Sequence, residues 1–378
     1  MKQTDVLIVG GGPAGSSLAF ALSASGLNVC IMDKEDFPRQ KTCAGWVTPA
    51  VMKMLNINLD DYKQGRVLQK IQGFRIGQIG QKLVHSSYSG EPVSYGIRRI
   101  EFDDYLLRRC GAELLLQQPF KKMQKIADGW RVNDEIESRL VIGAGGHFCP
   151  VARAIGAKGV SEQAVAAQEI EFEMSAQQQA ECQLNEETPE LYFTQDLMGY
   201  GWVFRKGNYL NIGLGREDKS HLSSHVNKFF LYLKKHKKIP QDLPDKFNGH
   251  AYLLYPHAKR EMINDNVLLI GDAAGLASAQ SGEGIRPAVE SAFLAAEVVV
   301  RCQGDYCQKN LQQYNQLIQN RFGKRQPDKE LMDYLPARLK MILAGWLMKT
   351  HWFTRDVVID KWFIQLNRQP LHISRHLS

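Results

Sequence analysis

Residues 5–33 read DVLIVGGGPAGSSLAFALSASGLNVCIMD, and the order of residue types in them decides the fold. Asp5 to Val9 is a short apolar run of the kind buried in parallel sheets, and Gly10, Gly12 and Gly15 follow it at G-x-G-x-x-G spacing. The stretch reads as strand, turn, helix and second strand. Gly10 serves the tight turn, Gly12 lets the backbone approach a pyrophosphate, and Gly15 lets the helix that opens near Pro13 and Ala14 pack closely on the strand. The free N–H groups at that helix end, with its macrodipole, hold a diphosphate without any lysine. Asp33 closes the second strand eighteen residues beyond Gly15, where a carboxylate accepts the hydroxyls of an adenosine ribose, and Lys34 follows it in the same site. These residues predict a dinucleotide-binding unit of Rossmann type.

The 378 residues allow two or three domains, and 44% apolar composition supplies a large core. Forty-seven Lys and Arg against 40 Asp and Glu leave a net charge of +7, without an arginine-rich arm or zinc-finger spacing, so nucleic acid is excluded as a partner. The seven cysteines contain no C-x-x-C pair and read as reduced packing residues rather than as metal ligands. The first strand begins directly after Met1 and no apolar run reaches membrane-spanning length, so the expected compartment is the cytoplasm.

The next segment, KEDFPRQKTCAGWVTPAV (34–51), is too irregular for one helix and reads as a loop that carries Arg39, Lys41 and Cys43 along an extended cofactor. Residues 71–95 alternate as strands, Arg99 precedes a helix through Phe102 and Asp103, and 112–137 read as a strand pair. From 156 to 261 the texture is that of an antiparallel sheet. Within it, Tyr200, Trp202 and Phe204 fall on one face of a strand and form a candidate substrate wall, with glycines at 199, 201, 213 and 215 leaving space on the opposite face. A second buried strand, Asn266 to Ile270, runs into Gly271-Asp272-Ala273-Ala274-Gly275, and Ser281-Gly282-Glu283-Gly284-Ile285 opens a long helix. Asp272 is placed to bind a sugar-like hydroxyl. The chain from Gly323 mixes Lys and Arg with Trp346, Trp352, Phe353, Trp362 and Phe363 as amphipathic helices, which either pack across the protein or lie at a membrane interface.

This order of motifs resembles flavoproteins of the p-hydroxybenzoate hydroxylase fold. Within them, Phe37-Pro38-Arg39 with Lys41 and Cys43, Gly199-Tyr200-Gly201-Trp202-Val203-Phe204 and the G-E-G-I turn are most similar to the geranylgeranyl reductase family, over residues 1–325. The resemblance implies an α/β fold: a Rossmann-like FAD-binding domain (1–70, 96–155 and 262–325), an inserted antiparallel-sheet substrate domain (71–95 and 156–261) and a C-terminal helical segment (326–378). It implies FAD as cofactor, with Asp33 on the adenosine ribose, Gly271 and Asp272 at the ribityl chain or pyrophosphate, Arg39 and Arg99 along the nucleotide, and Gly282, Gly284 and Ile285 at the flavin pyrimidine edge. It also implies hydride transfer from reduced flavin to a carbon–carbon double bond of an isoprenoid or lipid-like chain, with peripheral membrane contact.

Cys43 and Tyr200 are the candidates for supplying the proton. The electron donor, NADPH or a protein, stays open. Ala279 stands where relatives carry proline, and Trp46 follows Cys43-Ala44-Gly45 where they carry glycines, which narrows the pocket. A flavin-dependent aromatic monooxygenase and a non-catalytic flavin-binding or resistance protein are the competing readings. A halogenase is disfavoured because Gly201-Trp202-Val203-Phe204 lacks the W-x-W-x-I-P pattern.

Overall fold

The computed structural model describes residues 1–157, 162–218, 221–244, 246–325 and 336–371. Part of the expected C-terminal segment, 326–335 and 372–378, lies outside them. The quoted stretch forms the strand Lys2–Val9, the helix Pro13–Leu22 and the strand Val29–Met32. Val6, Leu7, Ile8 and Val9 are all buried, because this strand lies in the interior of a parallel sheet covered on both faces. Its neighbours are Ile136–Gly143 and Val29–Met32, both parallel; Val267–Leu269 and Glu113–Leu115 extend the sheet outward on either side. The helices Pro13–Leu22 and Ile285–Arg301 pack against each other, and Arg99–Arg108 packs beside the first of them. The segment 112–137, read as a strand pair, instead gives the parallel edge strand Glu113–Leu115 and a separate hairpin of Met123–Ile126 with Gly129–Val132.

A second sheet contains, in order, Asn248–Tyr252, Val165–Glu173, Tyr209–Arg216, Gly199–Lys206, Glu190–Phe193, Gly73–Gln78 and Val84–Ser87. It is antiparallel except where Glu190–Phe193 meets Gly73–Gln78. Those two strands belong to separate excursions from the first sheet, so no hairpin forces them antiparallel. Ser94–Ile97 does not join this sheet; it pairs with Trp46–Val47 and Leu68–Ile71 in a small sheet between the two large ones.

Each face of the second sheet has a cover. A helix not anticipated from the sequence, Leu222–Lys235, buries Val226, Phe229, Phe230 and Leu233 against Ile170, Tyr192, Val203 and Ile212. Each such side chain contributes about 1.5–3 kcal/mol when fully buried. The other face carries Phe74, Ile76, Leu191, Trp202 and Phe204, and against them pack Met348, Val358, Ile359, Phe363 and Ile364. These come from the C-terminal helices, Ala337–Leu347 and the wider π-type turn Phe353–Phe363. Packing across the sheet, one of the two arrangements expected for this segment, is therefore present. No helix among the described residues is long and apolar enough to cross a membrane.

Candidate active site

A cavity of about 760 Å³ runs from the turn after the first strand to the inner face of the second sheet. That is within the usual range of small-molecule sites. At one end Gly10 has φ +119°, and a Cβ there would come within 2.6 Å of the Ala144 backbone. Gly12 caps the helix Pro13–Leu22 without any side-chain hydrogen bond, so the first turn presents its N–H groups to the cavity. The Gly11 N–H donates to Asp33 Oδ2 (2.7 Å) and the Glu35 N–H to Oδ1 (3.0 Å), which fixes the carboxylate at the cavity edge.

Cations gather along the middle of the cavity. Arg99 is buried and makes a two-pronged contact with Asp103, Nε to Oδ1 at 2.7 Å and Nη2 to Oδ2 at 2.8 Å. Arg39 shares that carboxylate at 3.4 Å while its guanidinium lies over the Phe37 ring. Two arginines on one aspartate leave positive charge facing the cavity. Lys41 reaches His250 Nδ1 at 3.3 Å, and His250 Nε2 stands 3.8 Å from Asp272 Oδ2. Burial and the Arg99 charge push the Lys41 ammonium below its ordinary range. Burial disfavours ionisation of Asp272, but His250, Lys41 and Arg99 outweigh it and hold the carboxyl below the usual range. An added anion fits this row of cations.

The far end is aromatic. Tyr200, Trp202, Trp46 and Phe363 line it, with Phe363 against both Trp46 (5.8 Å) and Tyr200 (5.3 Å) between ring centres. Cys43 projects from a loop whose peptide is held on both sides. Its N–H donates to Glu169 Oε1 (2.5 Å) and its carbonyl accepts from Asn211 Nδ2 (3.2 Å). Asn211 is fixed in turn by the Trp202 indole N–H at 2.7 Å.

Of the residues singled out from the sequence, Gly10, Gly12, Pro13, Ala14, Asp33, Lys34, Arg39, Cys43, Arg99, Tyr200, Trp202, Asp272, Gly282, Gly284 and Ile285 line this one cavity. Three do not. Gly15 lies behind the turn, where a Cβ would collide with the Gly10 carbonyl oxygen; Gly271 is packed between Ala14 and Ala288; both shape the cradle from outside. Phe204, expected in the substrate wall, is core, because its ring lies against Gly96 of the small sheet.

The space expected opposite the aromatic wall is also filled. A Cβ at Gly201 would come within 2.5 Å of Phe229, whereas Gly213, paired with Trp202, lies on the aromatic face itself and gives room to the Trp202 ring. Tyr200 donates its hydroxyl to the Ser281 carbonyl (2.5 Å), and burial pushes its pKa well above the ordinary phenol value.

Sequence reasoning missed Glu169, His250, Tyr252, Glu283 and Phe363 as lining residues. The signal for Glu169 lies in Glu169-Ile170-Glu171-Phe172-Glu173, where period two puts three acids on one face of a strand; that face runs from the exposed Glu173 to Glu169, buried in the cavity wall.

The uncapped helix end, the glycine cradle and the ribose-side carboxylate fit an adenine dinucleotide, and the aromatic end leaves room for a flat ring system. An FAD binding domain family matches residues 3–61, and the cofactor is FAD. Digeranylgeranylglycerophospholipid reductase 2 of Methanosphaera stadtmanae is 26% identical over 339 residues, 86% of this chain and 85% of that one. Digeranylgeranylglycerophospholipid reductase 3 of the same organism is 28% identical over 349 residues, with the same coverage. A geranylgeranyl bacteriochlorophyll reductase-like structure from Thermoplasma acidophilum superposes with a TM-score of 0.74 at 22% identity, over all of this chain and 95% of that one. The chain is thus an FAD-dependent oxidoreductase similar, over most of its length, to reductases of the geranylgeranyl type.

Proposed function

We propose that this oxidoreductase reduces carbon–carbon double bonds of an isoprenoid or similar lipid chain. The observation that carries the reading is the continuity of the cavity, in which the dinucleotide cradle opens without a partition into the chamber of Trp46, Tyr200, Trp202 and Phe363. Reduced FAD supplies a hydride there. The chain's own residues do the rest. Asp33, fixed by the Gly11 N–H, would hold the adenosine ribose, the helix end at Gly12 with Arg39, Arg99 and Lys41 would hold and neutralise the diphosphate, and Asp272 would hold a hydroxyl of the linking chain. The aromatic walls exclude water and lie flat against an apolar substrate, with Cys43 in contact with it.

The test is anaerobic. The FAD-loaded protein, reduced and mixed with a geranylgeranyl lipid in the absence of oxygen, should regain its oxidised spectrum while the lipid gains the mass of H₂ per double bond. Reoxidation by air alone, with oxygen inserted into an added aromatic, would transfer the assignment to a monooxygenase. NADPH and a reduced protein donor are to be compared as the source of electrons in the same apparatus.

A lipid substrate also supports peripheral membrane contact. Leu339, Ile342 and Trp346 recur along one exposed face of the helix Ala337–Leu347, and Trp352 and Leu366 are exposed nearby. Exposed lysines at 349 and 361 accompany them, a pattern suited to tryptophans at headgroup depth over anionic lipid. Replacing Trp346 and Trp352 together by alanine should lower co-sedimentation with anionic vesicles by about tenfold or more, with FAD content unchanged. Equal sedimentation of variant and wild type would remove the proposal.

A further inference from the structure

Reduction of an alkene needs a proton as well as a hydride, and the two residues the sequence offers for it are unequally placed. The Tyr200 hydroxyl is committed to the Ser281 carbonyl, whereas Cys43 is held by its peptide. Glu169 stands beside Cys43 in the middle of the strand Val165–Glu173, its side chain in the chamber wall and only 4% of the residue exposed. One oxygen accepts the Cys43 N–H. The other, Oε2, is buried without a hydrogen-bond partner in the protein. A charged oxygen left so is costly, because burial strips it of water with no protein donor in its place. A carboxylic acid with its proton on Oε2 costs far less, and the residue that carries it lines the chamber.

We propose that Glu169 is the general acid of the reaction, delivering the Oε2 proton to the alkene carbon that does not receive hydride. The inference rests on the alkene-reductase reading above. In the step, one carbon takes the hydride, with both electrons, from the reduced cofactor. The electron pair of the π bond then forms the second C–H bond to the Glu169 proton. The O–H bond breaks, the carboxylate keeps its electrons, and a solvent proton restores the acid between turnovers.

The surroundings suit a proton held at neutral pH. Glu171 on the same strand faces Lys206, whose ammonium also donates to the Ile97 carbonyl, so that lysine is largely spent before it reaches Glu169. His250 and Tyr252, on the neighbouring strand, share the face of Glu169, as its register with Val165–Gln168 requires, and Asn211 lies across. Burial pushes the Glu169 pKa up to about 7; the Cys43 N–H, the Lys206 charge and the Asn211 amide oppose that rise and the Glu171 charge adds to it. Perturbed acids in a cleft beside a cofactor cradle are characteristic of catalysis.

The experiment compares wild type with Glu169→Gln, which keeps an oxygen for the Cys43 N–H and removes the acid. Both are loaded with FAD. In single turnovers with a geranylgeranyl lipid, the variant should be slower by between about a hundredfold and ten-thousandfold. An acid must be protonated to act, so the wild-type rate should fall as pH rises through about 7, while the variant's residual rate stays flat. Infrared spectra of the resting proteins give a readout independent of turnover: the wild-type-minus-variant difference should hold a protonated-carboxyl band that is lost as pH rises, the contribution of the equally buried Glu283 cancelling because both proteins retain it.

Unchanged rate and pH profile in Glu169→Gln, or no such band at neutral pH, would overturn the proposal. So would loss of the pH dependence in a Cys43→Ala variant while Glu169→Gln keeps it. If wild type shows the band yet reduces no polyprenyl alkene, the reductase reading has failed, and the assignment of this acid to alkene protonation falls with it.

Discussion

Substituting Glu290 by glutamine should destabilise the protein by about 3–5 kcal/mol, the cost of removing one partner from a buried ion pair. Glu290 is fully buried and faces three arginines. Arg286 Nε lies 2.9 Å from Oε1, Arg321 donates to both oxygens, and Arg368 Nη2 stands 3.2 Å from Oε2. Removing the carboxylate leaves three cations, all largely buried, with no anion between them. Burial alone would raise the Glu290 pKa, but the Arg321 hydrogen bonds and the charges of Arg368 and Arg286 outweigh it and hold the carboxyl below its usual range. A depressed folded-state pKa stabilises above the unfolded value, about 4.3, and the gain is lost as pH falls through the folded value. Urea unfolding at pH 7 should therefore show the full difference between wild type and variant, and unfolding below pH 4 a smaller one. A difference under about 1 kcal/mol at pH 7 would mean that the arginines find other partners.

The second large effect is expected at Gly15. Valine there would drive a Cβ into the Gly10 carbonyl oxygen and against the Ile8 side chain, so the turn must open. That turn also aims the Gly11 N–H at Asp33 and presents the helix end to the diphosphate. Overpacking of this kind costs about 3 kcal/mol, about a hundredfold in retained cofactor. The measurement is the ratio of flavin to protein absorbance after purification, with thermal unfolding of the apoprotein alongside. A variant that keeps its FAD would show that the turn relaxes without moving the helix.

The contrast between these two sites explains what the sequence made legible. The phosphate cradle is encoded in consecutive residues 5–33, where glycine spacing, strand burial and a terminal acid constrain one another. The cluster at Glu290 joins residues 286, 290, 321 and 368, and nothing in their spacing announces a common partner. The chamber wall is an intermediate case. Period-two alternation put Tyr200, Trp202 and Phe204 on one face, which holds, but where the cavity ends along that face depends on the approach of Gly96 from another sheet.

The helix Leu222–Lys235 had its signal in Val226, Phe229, Phe230 and Leu233 at helical spacing. It was masked by the strand texture on either side. Glu169 and His250 share a face only because neighbouring strands pair Ala167 with His250 and Glu169 with Asn248, a register that sheet order alone decides.

The covering of the chamber by Phe363 bears on how the protein is made. Phe363 forms part of the aromatic wall, and the Ile364 and Gln369 carbonyls are held by Arg286 and Arg321. On a ribosome, both sheets have emerged before this segment is translated. A nascent chain can therefore bury its dinucleotide cradle while the apolar chamber still stands open to chaperones and to the membrane surface. The last strap of polypeptide then seals it, so a stalled or clipped product would bind FAD and still fail to shield a lipid from water.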